Sequence, residues 1–165
     1  KSAFQYKQRM YGLVPYNISP IQQGIQFGHG VVEYGLTQTQ QDSTDTELSP
    51  YSQWAHNDKT FIILNGGTTN NNSKIFERMG TLNQATRRLG DICIDYATFN
   101  EPDLGDQLTA VVFLVDERVW DKENYADYDS VRDEMDSTTY YLELFGNDAL
   151  WILELREFLS NYKLA

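Results

Sequence analysis

The sequence predicts an α/β layered domain, a mixed four-stranded sheet with flanking helices, followed by a helical C-terminal extension. Three observations carry this expectation. Short apolar runs alternate with stretches of helical spacing between residues 10 and 115. Ser-Pro and Gly-Gly pairs punctuate those runs where elements should begin and end. The charge is divided along the chain. Residues 1–115 hold 8 basic and 11 acidic groups, a net of −3, whereas residues 116–165 hold 5 and 13, a net of −8. A nearly balanced body, residues 1–118, thus precedes an acidic extension, residues 119–165.

Met10–Tyr16 reads as a short strand ended by Pro15, which cannot donate to a ladder. A helix follows at about 20–36, with Ser19 as N-cap, Pro20 in the first position and Gln22 completing a Ser-x-x-Gln capping box. Residues 37–58 carry no Lys or Arg, and Ser49-Pro50 starts a short helix pinned by Tyr51 and Trp54. Thr60–Asn65 is a compact apolar strand closed by Gly66-Gly67. The Asn-rich run Thr68–Ser73 leads to a helix at about 74–90, where Ile75, Met79, Leu82 and Leu89 keep helical spacing. Ile92–Phe99 alternates as a half-exposed strand does, and Leu108–Val115 is apolar on both faces, the most buried strand expected. Both β-α-β crossovers should be right-handed. The polar connection Asn100–Gln107 is longer than a tight hairpin needs. Asp121–Asp136 is acidic, and Asn147 is placed to cap a last helix at about 148–162, apolar enough to dock on the body or on a second chain.

Composition narrows the function. The 165 residues carry a formal charge of −11, which argues against a general nucleic-acid-coating protein, since phosphate binding needs clustered Lys and Arg. One cysteine, Cys93, excludes an intrachain disulfide and a multi-cysteine zinc site. His29 and His56 are the only histidines, and neither an H-x-x-x-H pattern nor an Asp-x-Asp calcium-binding loop is present (Asp127-Tyr128-Asp129 is not followed by the loop's further oxygen ligand and glycine), so no metal or other cofactor is expected. No apolar run is long enough to span a bilayer and no basic-plus-apolar leader opens the chain, so a cytoplasmic protein without membrane contact is expected. Gly66-Gly67-Thr68-Thr69 lacks the lysine of a P-loop and reads as a glycine turn.

The first helix carries the most information. At about 100° per residue, Ile21, Ile25, Val32 and Leu36 share one arc and should face the sheet. Gly24, Gly28 and Gly35 fall beside them, and each costs about 1 kcal/mol in a helix, which points to close approach by another backbone. Gln22, Gln26, His29 and Glu33 share the other flank. That row reads either as a solvated helix edge or as a set of site residues.

The segment Tyr11–Glu33, a strand and loop leading to Gln26-x-x-His29 with a small residue at Gly30, resembles the start of type II peptidyl-tRNA hydrolases. That family has an Asp-Leu-x-Met-x-x-Gly-Lys segment before an Ala-Gln-x-x-His-Ala helix. The similarity extends through the element order over about residues 9–115, and EPDLGDQLTA, Glu101–Ala110, stands where the family has an Asp-Ala-Gly-x-Thr-Gln loop. The resemblance implies the family's mixed four-stranded fold and hydrolysis of the ester between peptide and tRNA. It implies a water activated by Asp103, Glu101 or His29, a carbonyl held by Gln26 or Gln107, and substrate contacts from Gln22 and Asn17. Two departures bear on the chemistry. The family's active-site lysine is Gln22 here, and the Thr-Gln pair is not reproduced. Glutamine cannot neutralise phosphate as lysine does.

A tRNA substrate would need cations, and Lys74, Arg78 and Arg88 fall within about 80° on one helix face, which reads equally as a solvated face. The expected partners are therefore tRNA, bound weakly, and a second copy of the chain through the glycine-lined helix or the last helix. The alternative is a non-catalytic, protein-binding regulatory module. Its acidic extension, with Trp120, Tyr125, Tyr128, Tyr140 and Tyr141, would engage a basic protein.

Overall fold

The computed structural model describes residues 6–39, 49–69, 81–130 and 133–165. Its frame is a four-stranded sheet in the order β2-β1-β4-β3, with β1 at Gln8–Val14, β2 at Thr60–Asn65, β3 at Ala97–Glu101 and β4 at Gln107–Asp116. β1 runs parallel to β2 and antiparallel to β4, and β3 is antiparallel to β4. The sheet is mixed, as the sequence predicts. α1 (Pro20–Thr39) and the short α2 (Pro50–Gln53) cover one face; α3 (Thr81–Ile92) and α6 (Ala149–Ser160) cover the other.

The two central strands divide the core. Tyr11, Leu13, Val111 and Phe113 point to α3 and α6, where they meet Leu82, Leu89, Ile152, Leu155 and Phe158. Met10, Val14, Ala110 and Val112 point the other way, to Phe27 and Tyr34 of α1 and to Trp54. Each aliphatic or aromatic side chain so buried contributes about 1.5–3 kcal/mol relative to exposure. Trp54 is further fixed by its Nε1, which donates to the Thr60 carbonyl at 3.0 Å, and Ser49 Oγ caps α2 by accepting from Ser52 N at 3.1 Å. The Ser49-Pro50 start and the Tyr51–Trp54 pin are therefore as expected, although the turn continues as a π-helix over Trp54–Asp58.

Several boundaries differ from the sequence expectation. β1 begins at Gln8 because Gln8 and Arg9 still find partners opposite Asp116 and Val115, and it ends at Val14, ahead of Pro15. The strand expected over Ile92–Phe99 is displaced to Ala97–Glu101. Helix α3 runs to Ile92 and closes with Cys93 in the left-handed region, φ 64°, so that Cys93 N and Ile94 N donate back to the carbonyls of Gly90 and Leu89. Residues 74–80 of the expected helix, with Ile75 and Met79, lie outside the described residues. The connection after β3 is a hairpin after all. It is a 3-10 turn at Pro102–Leu104, followed by Gly105 and Asp106, both at positive φ, and the Asp106 carbonyl accepts from Asn100 Nδ2 at 2.9 Å.

The largest correction concerns α1. Ile21, Ile25, Val32 and Leu36 do not face the sheet; they are 76, 42, 61 and 57% exposed. The face against the sheet carries Gln26, Phe27, Gly30 and Tyr34, all buried. Two glycines make that docking possible. A Cβ at Gly12 would lie 2.1 Å from the Phe27 ring, and one at Gly30 would lie 2.8 Å from Val112 Cγ1. The Phe27 ring fills the slot at Gly12, Gly30 lets the helix backbone close on β4, and the aliphatic stripe is turned outward. Of the three glycines expected to meet a neighbour, Gly35 does, against Tyr51; among the described residues Gly24 and Gly28 have nothing within 4 Å of where a Cβ would stand.

The extension is part of the same core rather than a loose tail. It contains α4 (Glu117–Trp120), α5 (Ser137–Phe145), which the sequence reading does not anticipate, and α6. Asn147 does not cap α6. It lies in a 3-10 turn, and Asp148 at the N-cap position sends its carboxylate to Arg118 Nη1 at 2.9 Å instead. Arg118 also meets Asp116 at 2.9 Å. Burial opposes its charge, but the Asp116 and Asp148 carboxylates more than offset that and hold the guanidinium protonated. Arg156 Nη2 donates to the Arg118 and Tyr125 carbonyls, at 2.7 and 2.6 Å, joining α6 to the start of the extension. The C-terminus then returns to β2: Asn65 N donates to the Lys163 carbonyl and Ala165 N to the Ile63 carbonyl. Among the described residues no helix is long and apolar enough to cross a membrane.

Candidate functional site

The chain reverses direction across the sheet at one place. From β1 the first connection runs outward to β2 with α1 on one face. The second, with α3 on the opposite face, crosses to β3 at the far edge. Open α/β sheets bind ligands at the carboxyl ends of their strands beside such a switch. There the N-terminal turn of α1 faces the turn after β3, and a cleft of about 360 Å3 lies between them, lined by Ile18, Ser19, Gln22, Gln26, Glu101, Asp103 and Leu104.

Each lining side chain is set by its element. Ser19 Oγ accepts from Gln22 N at 3.2 Å and fixes the first turn of α1, as the capping signal implies. Gln26, one turn on, is 1% exposed, and its Oε1 lies 2.5 Å from Thr109 Oγ1 on β4. That separation suits a hydroxyl donating to an oxygen and is too short for an amide N–H donor, so the carbonyl end of Gln26 is held by Thr109. Its Nε2 donors remain for the cleft. Thr109 also lies 3.3 Å from the Phe99 carbonyl, a weaker alternative acceptor for its single proton. Glu101 ends β3 half-buried, opposite Gln107, and Asp103 projects from the 3-10 turn, exposed.

The fold therefore brings together four residues that the sequence singles out: Gln22, Gln26, Glu101 and Asp103. The others are elsewhere. His29 is half-buried beside the cleft without lining it. Its ring centroid is 4.3 Å from that of Phe99, and its Nδ1 is enclosed without a hydrogen-bond partner. Gln107 begins β4, its Oε1 likewise enclosed and without a partner. Asn17 is spent on the loop after β2, where its Nδ2 donates to Thr69 Oγ1 and its Oδ1 accepts from Thr69 N, both at 3.0 Å. Arg88 is exposed on α3, on the opposite face of the sheet from α1. Lys74 and Arg78 lie outside the described residues.

Thr109 is the site residue that sequence reasoning misses. Its signal is a lone hydroxyl in the otherwise apolar run LTAVVFLV. A second result concerns the wall opposite Gln22, where the resemblance leaves a lysine to be replaced. Among the described residues that wall holds two carboxylates and no Lys or Arg. The set thus offers two acids able to take a proton from water and a fixed amide able to donate to a carbonyl oxygen, without a cation to receive phosphate.

The aromatic residues of the extension are engaged within the chain. Trp120 lies under the Arg9 guanidinium at 3.6 Å and donates Nε1 to the Val115 carbonyl. Tyr140 Oη and Tyr128 Oη donate to the Ala126 and Met135 carbonyls, and Tyr141 stacks on Phe145. Among the described residues no group of three or more His, Cys, Asp and Glu converges as a metal site. No protein-family model matches the chain, and no curated protein matches it in sequence.

Proposed function

We propose that the cleft between α1 and the β3–β4 turn is a hydrolytic site, and that the protein is a diverged peptidyl-tRNA hydrolase-like ester hydrolase. The observation that carries this reading is the convergence of Glu101 and Asp103 on Gln26, whose amide Thr109 holds with its donors toward the cleft. A carboxylate of Glu101 or Asp103 takes a proton from water as the water oxygen bonds to the ester carbonyl carbon. Gln26 Nε2 donates to the carbonyl oxygen as it gains charge. The bond from that carbon to the ribose oxygen then breaks, and the ribose oxygen takes a proton. His29, outside the lining, is the less favoured base. Arg88 belongs to the other face of the sheet and is not placed to hold a phosphate at the cleft.

The test is release of an N-blocked amino acid from aminoacyl-tRNA. Removing both acids together, Glu101→Gln with Asp103→Asn, should lower the rate by about 10²–10⁴, the usual contribution of a general base. Gln26→Met should lower it by about 10²–10³. No release above background by the unaltered chain would overturn the reading. A second reading is favoured by the exposed carboxylates of the extension, which suit a non-catalytic module that binds a basic protein. Because the tyrosines and Trp120 are engaged internally, such binding would use the exposed carboxylates of Asp129, Asp133 and Glu134. Capture of a defined basic protein that is lost in the triple variant Asp129→Asn, Asp133→Asn, Glu134→Gln would favour it, and unchanged capture would count against it.

A further inference from the structure

The outward side of α1 is built like an interface. Ile21, Ile25, Val32 and Leu36 are 76, 42, 61 and 57% exposed and fall within about 60° of one another, diametrically opposite the face that meets the sheet. Of the twenty residues of α1 the only charged one is Glu33, which lies outside this arc. Gly24 and Gly28 lie beside the stripe, and each costs about 1 kcal/mol of helix propensity while meeting nothing within 4 Å among the described residues. A surface helix normally places charge and good helix formers there. This one carries an uncharged aliphatic ridge with small residues between.

The spacing of the ridge identifies its occupant. The positions 21, 25, 32 and 36 are symmetric about the midpoint between Gly28 and His29. Two copies laid antiparallel about a two-fold axis at that point bring Ile21 opposite the partner's Leu36, Ile25 opposite the partner's Val32 and Gly28 opposite the partner's His29, one small residue of each pair at the axis, where the backbones approach most closely. Self-complementarity of this kind is the requirement of an isologous contact. The charge agrees. Two chains of net −11 repel, so association is confined to a surface free of charge, and this stripe is one.

We propose that α1 is a homodimerisation helix, pairing antiparallel with the same helix of a second copy through Ile21, Ile25, Val32 and Leu36. The inference is independent of any catalytic role for the cleft. α1 is about 30 Å long, and a contact confined to one such helix from each chain lies at or below the small end of specific interfaces, about 1,200 Å2 in total. The dimer is therefore expected to be weak and concentration-dependent.

Sedimentation of the full chain over a concentration series should show a shift from 19.1 kDa toward twice that mass. Ile25→Glu should weaken dimerisation by at least about 30-fold, the factor that marks an interface hot spot, while leaving thermal unfolding of the exposed site unchanged. The register is tested by cysteines in a Cys93→Ser background, since the native thiol is exposed. Ile25→Cys with Val32→Cys should form interchain disulfides on oxidation. Ile25→Cys alone should not, because two copies of position 25 stand about 10 Å apart along the paired helices, beyond disulfide reach. A chain that stays monomeric throughout, a dimer that persists in Ile25→Glu, or cross-linking by Ile25→Cys alone would each overturn the proposal.

Discussion

Thr109→Val removes one hydroxyl from the interior and leaves Gln26 Oε1 without its donor. Thr109 is fully buried and Gln26 is 1% exposed, so no water is at hand to take the vacated place. An acceptor stranded in this way costs about 1–3 kcal/mol, whereas removing both partners together in favour of apolar groups of similar shape is nearly neutral. Gln26→Met alone should cost less than Thr109→Val, because the Thr109 proton can turn to the Phe99 carbonyl 3.3 Å away. The double variant should recover at least about 1 kcal/mol relative to the sum of the singles, the coupling expected of two groups in direct contact. Urea unfolding followed by tryptophan fluorescence measures all four corners of the cycle. Thr109→Ser keeps the hydroxyl and serves as the control for the lost methyl group. A Thr109→Val cost below about 0.5 kcal/mol, or additive single and double effects, would show that the hydroxyl does not hold the amide. The orientation argued for Gln26 in the cleft would then fall with it.

Two further outcomes bear on the frame around the site. Gly12→Ala places a methyl 2.1 Å from the Phe27 ring and should destabilise by about 1–3 kcal/mol, read as a lower urea midpoint; an unchanged midpoint would mean that α1 docks less tightly than its geometry indicates. The bond to Arg118, followed by one to Trp151, lowers the pKa of Asp148, so its contribution is present above the ordinary carboxylate value, about 3.9, and is lost as pH falls through the lower folded value. Asp148→Asn should therefore unfold earlier than wild type at pH 7, with the gap narrowing in acid. The effect should be small, because the Asp148 side chain is 48% exposed. A gap that widens in acid would refute the assignment.

What could be read from the sequence depended on whether the signal was local. Ser19-Pro20 and Ser49-Pro50 mark helix starts through bonds made within three residues, and both caps form as expected. TFIILN is a strand by its own composition, and its bounds are as expected. Gln22 and Gln26 were legible because the Ser19-Pro20 signal fixes the start of α1, whereas Glu101 and Asp103 were reached only through the resemblance, since the strand that carries Glu101 was expected over Ile92–Phe99 and lies at Ala97–Glu101. Arg88 was not legible, because its side of the sheet depends on the crossover that carries the chain from β2 to β3, and residue spacing does not encode that path. Thr109 was not, because its value lies in a partner 83 positions away. The orientation of α1 failed for a further reason. Counting apolar residues favours the four aliphatics, yet β1 offers a slot at Gly12 that fits Phe27, Gly30 lets the backbone of α1 close on Val112, and two rings with a satisfied amide outweigh four aliphatics that have no slot. A helix apolar on opposite sides reads as one enclosed all round. The sheet encloses one side of α1, and the proposed pairing of two copies would enclose the other, which is how the dyad spacing of the stripe bears on the proposal.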